Sequence, residues 1–198
     1  MESKLLFIVL IIFLIVAIVH RRKEYFYQSS RCENCGNLPI ESPVDSLDCC
    51  NNFTIVSFRP STVFGVSPRL RSDIVFNNFV ACAYTTNKIE IKSDGSPWRP
   101  VIHVKDLCNA FISGIEAPKE LVSGQSFNVG IKNGNFTVKD LAESAQRVVT
   151  GSELVFLNQH TDPRTYKVSF KKILTTLKDY FKPEWSLDKG GYELVNFF

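Results

Sequence analysis

From about residue 53 onward, short apolar runs alternate with stretches of helical periodicity, after an N-terminal block that is apolar on every face. Phe53–Phe58 reads as a strand of a parallel sheet ending at Arg59-Pro60, and Gly65 and Pro68 close the loop behind it. Asp73 is placed to cap a helix running through Thr86, and Ile89–Lys92 is a short alternating strand. The turn Asp94-Gly95 and a tight Trp98-Arg99-Pro100 bend then lead into the β-branched run Val101–Val104. A helix follows from Asp106, its simplest N-cap, to Glu116, where Pro118 stops it. Ser126–Val129 is a strand, and Thr137-Val138-Lys139-Asp140 reads as a capping box opening a helix to Val149 that Gly151 ends. Glu153–Leu157 is a further strand, and Ser169 is placed to cap a helix to Phe181. A turn over Pro183–Trp185 precedes a last short helix from Asp188 to Phe198. Alternating strands and helices of this kind make an α/β or α+β chain.

The N-terminal block changes that picture. Leu5–Val19 is an unbroken run of fifteen apolar residues between Lys4 and His20-Arg21-Arg22-Lys23. A full span takes about 20 residues, and bilayer thinning with snorkelling of Lys4 and Arg21 absorbs the shortfall. The basic cluster follows the run and no small-residue cleavage site appears, which favours an anchor over a secretory signal. The sequence therefore predicts a single-pass membrane protein with its C-terminal part on the cytoplasmic side. Three regions result: an anchor with basic flank over 1–23, a Cys-containing linker over 24–52, and a folded domain over 53–198.

Composition adds exclusions. A net charge of +3 over 198 residues, with no basic stripe interleaved with aromatics, offers no nucleic-acid surface. Of the six cysteines, Cys32-x-x-Cys35 and the adjacent Cys49-Cys50 suggest zinc at first sight. Neighbouring cysteines are awkward ligands for one tetrahedral ion, and there is no second C-x-x-C, so free thiols and no metal are expected. Cys82 and Cys108 fall in helical patterns and read as small buried hydrophobes. Asn52-Phe53-Thr54 and Asn135-Phe136-Thr137 fit the glycosylation sequon, which matters only for a lumenal chain.

Arg99, held between Trp98 and Pro100, is a planar donor suited to phosphate. Its segment, Asp94-Gly95 through Arg99 to Ile102-His103-Val104 and Asp106, resembles the "DG-x-x-x-R-x-x-(I/V)-H-V-x-D" signature of extended short-chain dehydrogenases/reductases, the NAD-dependent nucleotide-sugar epimerase/dehydratase family. Arg59-Pro60-Ser61-Thr62-Val63-Phe64-Gly65 is similar to that family's "R-x-x-x-V-Y-G", with Phe64 in the Tyr slot. Phe127-Asn128-Val129-Gly130 matches its "FNVG". The stretch from Arg164 to Ile173 resembles "R-x-Y-x-V-D-x-S-K-I", with Ser169 and Lys171 replacing Asp and Ser. Four motifs in order cover roughly residues 54–198.

The resemblance implies an α/β fold: part of an NAD(P)-binding Rossmann-type sheet and the C-terminal substrate lobe, here behind a transmembrane helix. It places Arg99 and Arg164 on the diphosphate of a nucleotide sugar, and Asp73 and His103 among the substrate-side positions. His103 reads more simply as a histidine packed between strand and helix, and Asp73 equally as a cap. Pro60, Thr62 and Val63 match positions that approach the nicotinamide end of the cofactor. NAD belongs to the family, yet this chain carries no G-x-G-x-x-G or G-x-x-G-x-x-G turn and no Y-x-x-x-K acid/base pair before Arg59. NAD is not expected to bind this chain alone, and no catalytic residue is assigned.

Three readings stay open. The first is a truncated, membrane-anchored relative that keeps the nucleotide-sugar lobe and does not catalyse by itself. The second is a non-enzymatic nucleotide-diphosphate-binding or interaction module, forming a homo-oligomer or pairing with a full-length paralogue. The third is a gene fragment with an unrelated N-terminus.

Overall fold

The strands that carry the motifs pair side by side, which sets the architecture. The computed structural model describes residues 54–157 and 164–198. The apolar run Leu5–Val19, the linker and the cysteines Cys32, Cys35, Cys49 and Cys50 lie outside the described residues. Strand β1 (Val56–Pro60) runs parallel to β5 (Gln125–Val129), with Phe58 opposite Phe127. Strand β2 (Thr62–Phe64) runs parallel to β4 (Trp98–His103), whose other edge takes β6 (Asn135–Thr137) antiparallel. Strand β3 (Lys88–Ile91) pairs parallel with β7 (Glu153–Phe156).

Helices cover these ribbons in two clusters. Helices α1 (Val75–Thr86), α4 (Val138–Val148) and α6 (Leu187–Phe197) enclose one core with Phe64, Phe76, Val80, Ile89, Ile91, Leu141 and Leu194. Helices α2 (Val104–Glu116) and α5 (Lys171–Thr176) enclose the other with Ile102, Ala110, Phe127, Val129, Ile173 and Leu177. Helix α3 (Lys119–Val122) is one turn that buries Val122 in this second core. Burying a side chain of Leu or Phe size contributes about 1.5–3 kcal/mol, so each cluster outweighs any single surface ion pair.

Several boundaries differ from the sequence expectation for identifiable reasons. Trp98-Arg99-Pro100 is not a bend but the first half of β4, where Trp98, Arg99 and Pro100 face Thr137, Phe136 and Asn135. Pro100 is accommodated because a ladder position that donates no bond loses nothing. Asp73 does not cap α1: its N-cap is Ile74, with no side-chain cap bond, and the Asp73 carboxylate pairs outward with Arg71 at 2.7 Å. Asp106 is not an N-cap either. Helix α2 starts two residues earlier, capped by His103, and Asp106 is buried in its first turn. Ser169 does not cap α5; Phe170 occupies the N-cap position because its ring is buried against Gly130. The helix expected to Phe181 ends at Thr176 and continues as turns that bring Leu177 and Phe181 into the core. Cys82 and Cys108 are half-buried rather than buried. The capping box at Thr137 stands as expected, with Asp140 N–H donating to Thr137 Oγ1 at 3.0 Å and Thr137 N–H to Asp140 Oδ2 at 2.8 Å.

Candidate functional site: a cavity with two arginines

Four segments distant in sequence meet around a cavity of about 710 Å³, within the size range of small-molecule sites. The first turn of α1 supplies Ile74, Val75, Asn78 and Phe79, together with Asp73 just before it. Strand β3 and its exit supply Glu90, Lys92 and Ser93, strand β4 supplies Arg99, and the segment before α5 supplies Arg164 and Tyr166. Thr62 and Val138 complete the wall.

The arginines are linked. The Arg99 guanidinium donates to the Arg164 carbonyl oxygen and, at 2.8 Å, to the carbonyl of Trp98. Trp98 N–H in turn donates to Thr165 Oγ1 at 3.0 Å, and the Lys167 ammonium sits 3.5 Å above the centre of the Trp98 ring. These contacts fix the segment before α5 against β4, and both arginines line the one wall. Helix α1 faces the same cavity with its N-terminus, which carries no side-chain cap and no acidic residue in its first turn. A helix start of this kind favours anions, and its effect adds to the arginines. The Asp73 carboxylate is held below the usual carboxylate range by its hydrogen bonds from Arg71, so it stays ionised at neutral pH.

Residues 41–130 match the NAD dependent epimerase/dehydratase family. The fold agrees. A UDP-glucuronic acid 4-epimerase from Bacillus cereus, solved with UDP-glucuronic acid and NAD, is 21% identical, with a TM-score of 0.62, covering 78% of this chain and 48% of that one. A UDP-N-acetylglucosamine 4-epimerase from the same organism is 16% identical, with a TM-score of 0.65 over 77% of this chain and 51% of that one. A UDP-glucose 4-epimerase from Thermotoga maritima is 22% identical, with a TM-score of 0.58 over 71% and 44%. The chain spans about half the length of each.

Over residues 41–130 the chain is thus similar to the epimerase/dehydratase family, and its fold is of the epimerase type.

Of the residues singled out from the sequence, the epimerase-type fold brings Arg99, Arg164, Asp73 and Thr62 to the cavity. Pro60, exposed at the end of β1, and Val63, packed into the second core, are not part of that wall. His103 is fully buried away from it. Its ring stacks on Trp185 with centroids 4.0 Å apart, and Nε2 lies 2.9 Å from Glu193 Oε2. Lys105 N–H donates to Nδ1 at 3.3 Å, so Nδ1 is the unprotonated nitrogen and Nε2–H the donor to Glu193. Burial, above all, lowers the His103 pKa to about 4. Burial works against the Glu193 carboxylate, but Lys105, with Nζ at 2.6 Å, and His103 together outweigh it and hold Glu193 below its usual range. Asp106 accepts the N–H groups of Glu184 and Trp185 at 2.9 and 3.0 Å, which ties the approach to α6 onto α2. Burial raises its pKa against those bonds.

The sequence reading missed Asn78, Glu90, Lys92 and Tyr166. Strand alternation was the available signal for Glu90: Ile89 and Ile91 are fully buried, so Glu90 between them must point outward. NAD does not fit the described residues taken alone: none of their glycines forms a G-x-G-x-x-G turn into a helix, and the Y-x-x-x-K spacing among them, Tyr84 to Lys88, does not line the cavity. No reaction step is derived through that cofactor.

Proposed function

We propose that residues 54–198 form a binding lobe for nucleoside-diphosphate sugars, tethered to a membrane and not catalytic by itself. One observation carries the reading: Arg99 and Arg164, 65 residues apart, are joined on the wall of one cavity that also receives the start of α1. Two guanidinium forks and a helix N-terminus suit a diphosphate, whose charge is spread over several oxygens. The apolar walls from Ile74, Val75, Phe79 and Val138 suit the sugar or base faces. UDP-glucuronic acid and UDP-glucose in the similar solved structures support the ligand class.

The full chain is to be titrated with nucleoside diphosphates and their sugars, with and without NAD, and followed by thermal shift. A ligand that binds only the folded state at 100 times its dissociation constant adds about 2.7 kcal/mol. The reading expects stabilisation by the nucleotide sugar without any need for NAD, weakened at least tenfold in Arg99→Ala. Equal stabilisation of wild type and Arg99→Ala, or none in either, removes it. Epimerase turnover by the purified chain alone would remove the non-catalytic part.

The membrane part rests on Leu5–Val19 and the basic residues Arg21, Arg22 and Lys23 behind it. Release of the chain from membranes by alkaline carbonate would refute an integral anchor. A second reading, association with another folded chain, is favoured by the α2–β1 face. Among the described residues β1 is paired only with β5; Phe111, whose ring meets that of Phe58, is 45% exposed, and Ile115 on the same helix is 72% exposed. An open edge next to exposed apolar side chains invites pairing. A strictly monomeric mass at high concentration and in mixtures with a full-length family member would exclude it.

A further inference from the structure

An apolar helix stripe and an unfinished strand edge lie side by side in this domain. Strand β1 takes β5 on one edge, and its other edge has no strand partner among the described residues. Gly124 N–H donates to the Ile55 carbonyl at 2.8 Å and Ser61 N–H to the Val129 carbonyl at 3.0 Å, so the odd-numbered positions from Ile55 to Ser61 turn their backbone towards β5. Backbone direction alternates along a strand, which leaves the N–H and C=O groups of Val56 and Phe58 on the open edge. Pro60, the next residue to face that way, has no N–H to offer. Helix α2 packs on the side of the Val56 and Phe58 side chains. A Cβ at Gly114 would lie 2.7 Å from Phe58 Cζ and 3.4 Å from Val56 Cγ1, and the Phe58 and Phe111 rings meet edge-on at 5.4 Å. Along α2, Val104, Cys108, Phe111 and Ile115 follow the i, i+4, i+7, i+11 spacing of a helix–helix seam. None of these residues is buried, and the charged residues Lys105, Asp106 and Glu116 fall on other faces of the helix.

We propose that this face joins two copies of the chain about a two-fold axis through Ser57, with β1 antiparallel to β1 and α2 against α2. The inference rests on the association reading of the α2–β1 face and names its partner. Donors and acceptors choose the direction and register. With Ser57 opposite Ser57, Val56 of each copy faces Phe58 of the other, and each such pair exchanges both backbone bonds. Pro60 falls outside these bonds, so its missing N–H costs nothing. Centring the axis on Phe58 instead would set Val56 against Pro60 and leave the Val56 carbonyl without a donor. The charges agree with the Ser57 register. Arg59 is the only charged residue of β1, and it then stands opposite Ile55, about 13 Å along the strand from Arg59 of the second copy. An axis normal to the sheet keeps both helices on one side, so each apolar stripe meets its own image. The contact uses up the open edge of both copies and therefore closes at a dimer.

The test is the mass of the full chain in nonionic detergent by sedimentation, together with disulfide trapping of Ser57→Cys and Arg59→Cys. Ser57 would occupy a non-hydrogen-bonded pair, whose Cα atoms lie about 4.5 Å apart, within reach of a disulfide. Arg59 lies beyond reach of its own image. A dimer is expected, with Ser57→Cys locking into a disulfide-linked dimer at least about tenfold faster than Arg59→Cys or wild type under mild oxidation. Ile115→Lys, at a position 72% exposed, sets a charge into the apolar seam. It should raise the dimer dissociation constant at least about tenfold and leave the circular dichroism spectrum unchanged. A monomer at every concentration, equal trapping of Ser57→Cys and Arg59→Cys, or a dimer that Ile115→Lys leaves intact overturns the proposal. A monomer that still associates with a full-length family member overturns only the choice of partner and leaves the association reading standing. A monomer in both settings removes that reading as well.

Discussion

Acid should unfold this domain through one histidine before its carboxylates are protonated. His103 is fully buried, stacked on Trp185 and within 5.2 Å of the Phe64 ring centre, and its Nδ1 already accepts the Lys105 N–H. Adding a proton there would charge a buried ring and replace the helix cap by two opposed N–H groups. Its pKa is accordingly lowered from 6.5 to about 4. A folded-state value below the unfolded one means that the unfolded chain binds more protons in this window. Stability from this group is therefore complete above pH 6.5 and lost as pH falls towards 4. A gap of this size corresponds to about 3 kcal/mol, a large part of the 5–15 kcal/mol typical of a domain. Asp106, whose pKa is raised, acts in the opposite direction, and Glu193, whose pKa is lowered, adds its loss below about 4.5, its ordinary value. The comparison that isolates His103 is therefore wild type against His103→Gln, by urea midpoints of the full chain from pH 7.5 to 4.5. Wild-type stability should fall with a slope approaching 1.4 kcal/mol per pH unit below 6.5, and the variant should start lower and fall less steeply. Parallel curves, or a His103 resonance titrating near 6.5, would refute the reasoning.

Asp106→Ala leaves the Glu184 and Trp185 N–H groups without their acceptor, and should cost about 2–4 kcal/mol in denaturant midpoint with no change in slope. Gly190→Ala should destabilise by about 1–3 kcal/mol, although alanine is the better helix former. A Cβ at Gly190 would lie 2.6 Å from Phe64 Cε2 and 2.8 Å from His103 Cδ2. Stabilisation by this substitution would show that the ring pair yields easily. Thr137→Ala removes the acceptor for the Asp140 N–H and should cost about 1 kcal/mol, readable as a lowered Tm.

Much of the domain was legible because its signals are local. Val56–Pro60, Gln125–Val129 and the α4 helix follow from apolar runs and from Thr137 and Asp140, whose reciprocal bonds span only three residues. Arg99 and Arg164 were legible as residue types suited to phosphate, and the motifs around them gave the resemblance to the epimerase/dehydratase family. The errors share one cause. Asp73, Asp106 and Ser169 each fit a cap by residue type, yet Arg71, the Glu184–Trp185 backbone and the buried Phe170 ring decided otherwise. Strands β2 and β6 are three residues each and hold together only because β4 lies between them.

The sequence by itself determined the alternation of strands and helices, the anchor candidate over Leu5–Val19 and the residue types suited to a diphosphate. Only the tertiary structure decided that Arg99 and Arg164 share a wall, that His103 is withdrawn beneath Trp185, and that Glu90 and Lys92 reach the same cavity. Periodicity and capping act over a few residues. Contacts across 65 or 90 positions depend on which apolar faces find each other when the chain collapses, and no local pattern records that choice.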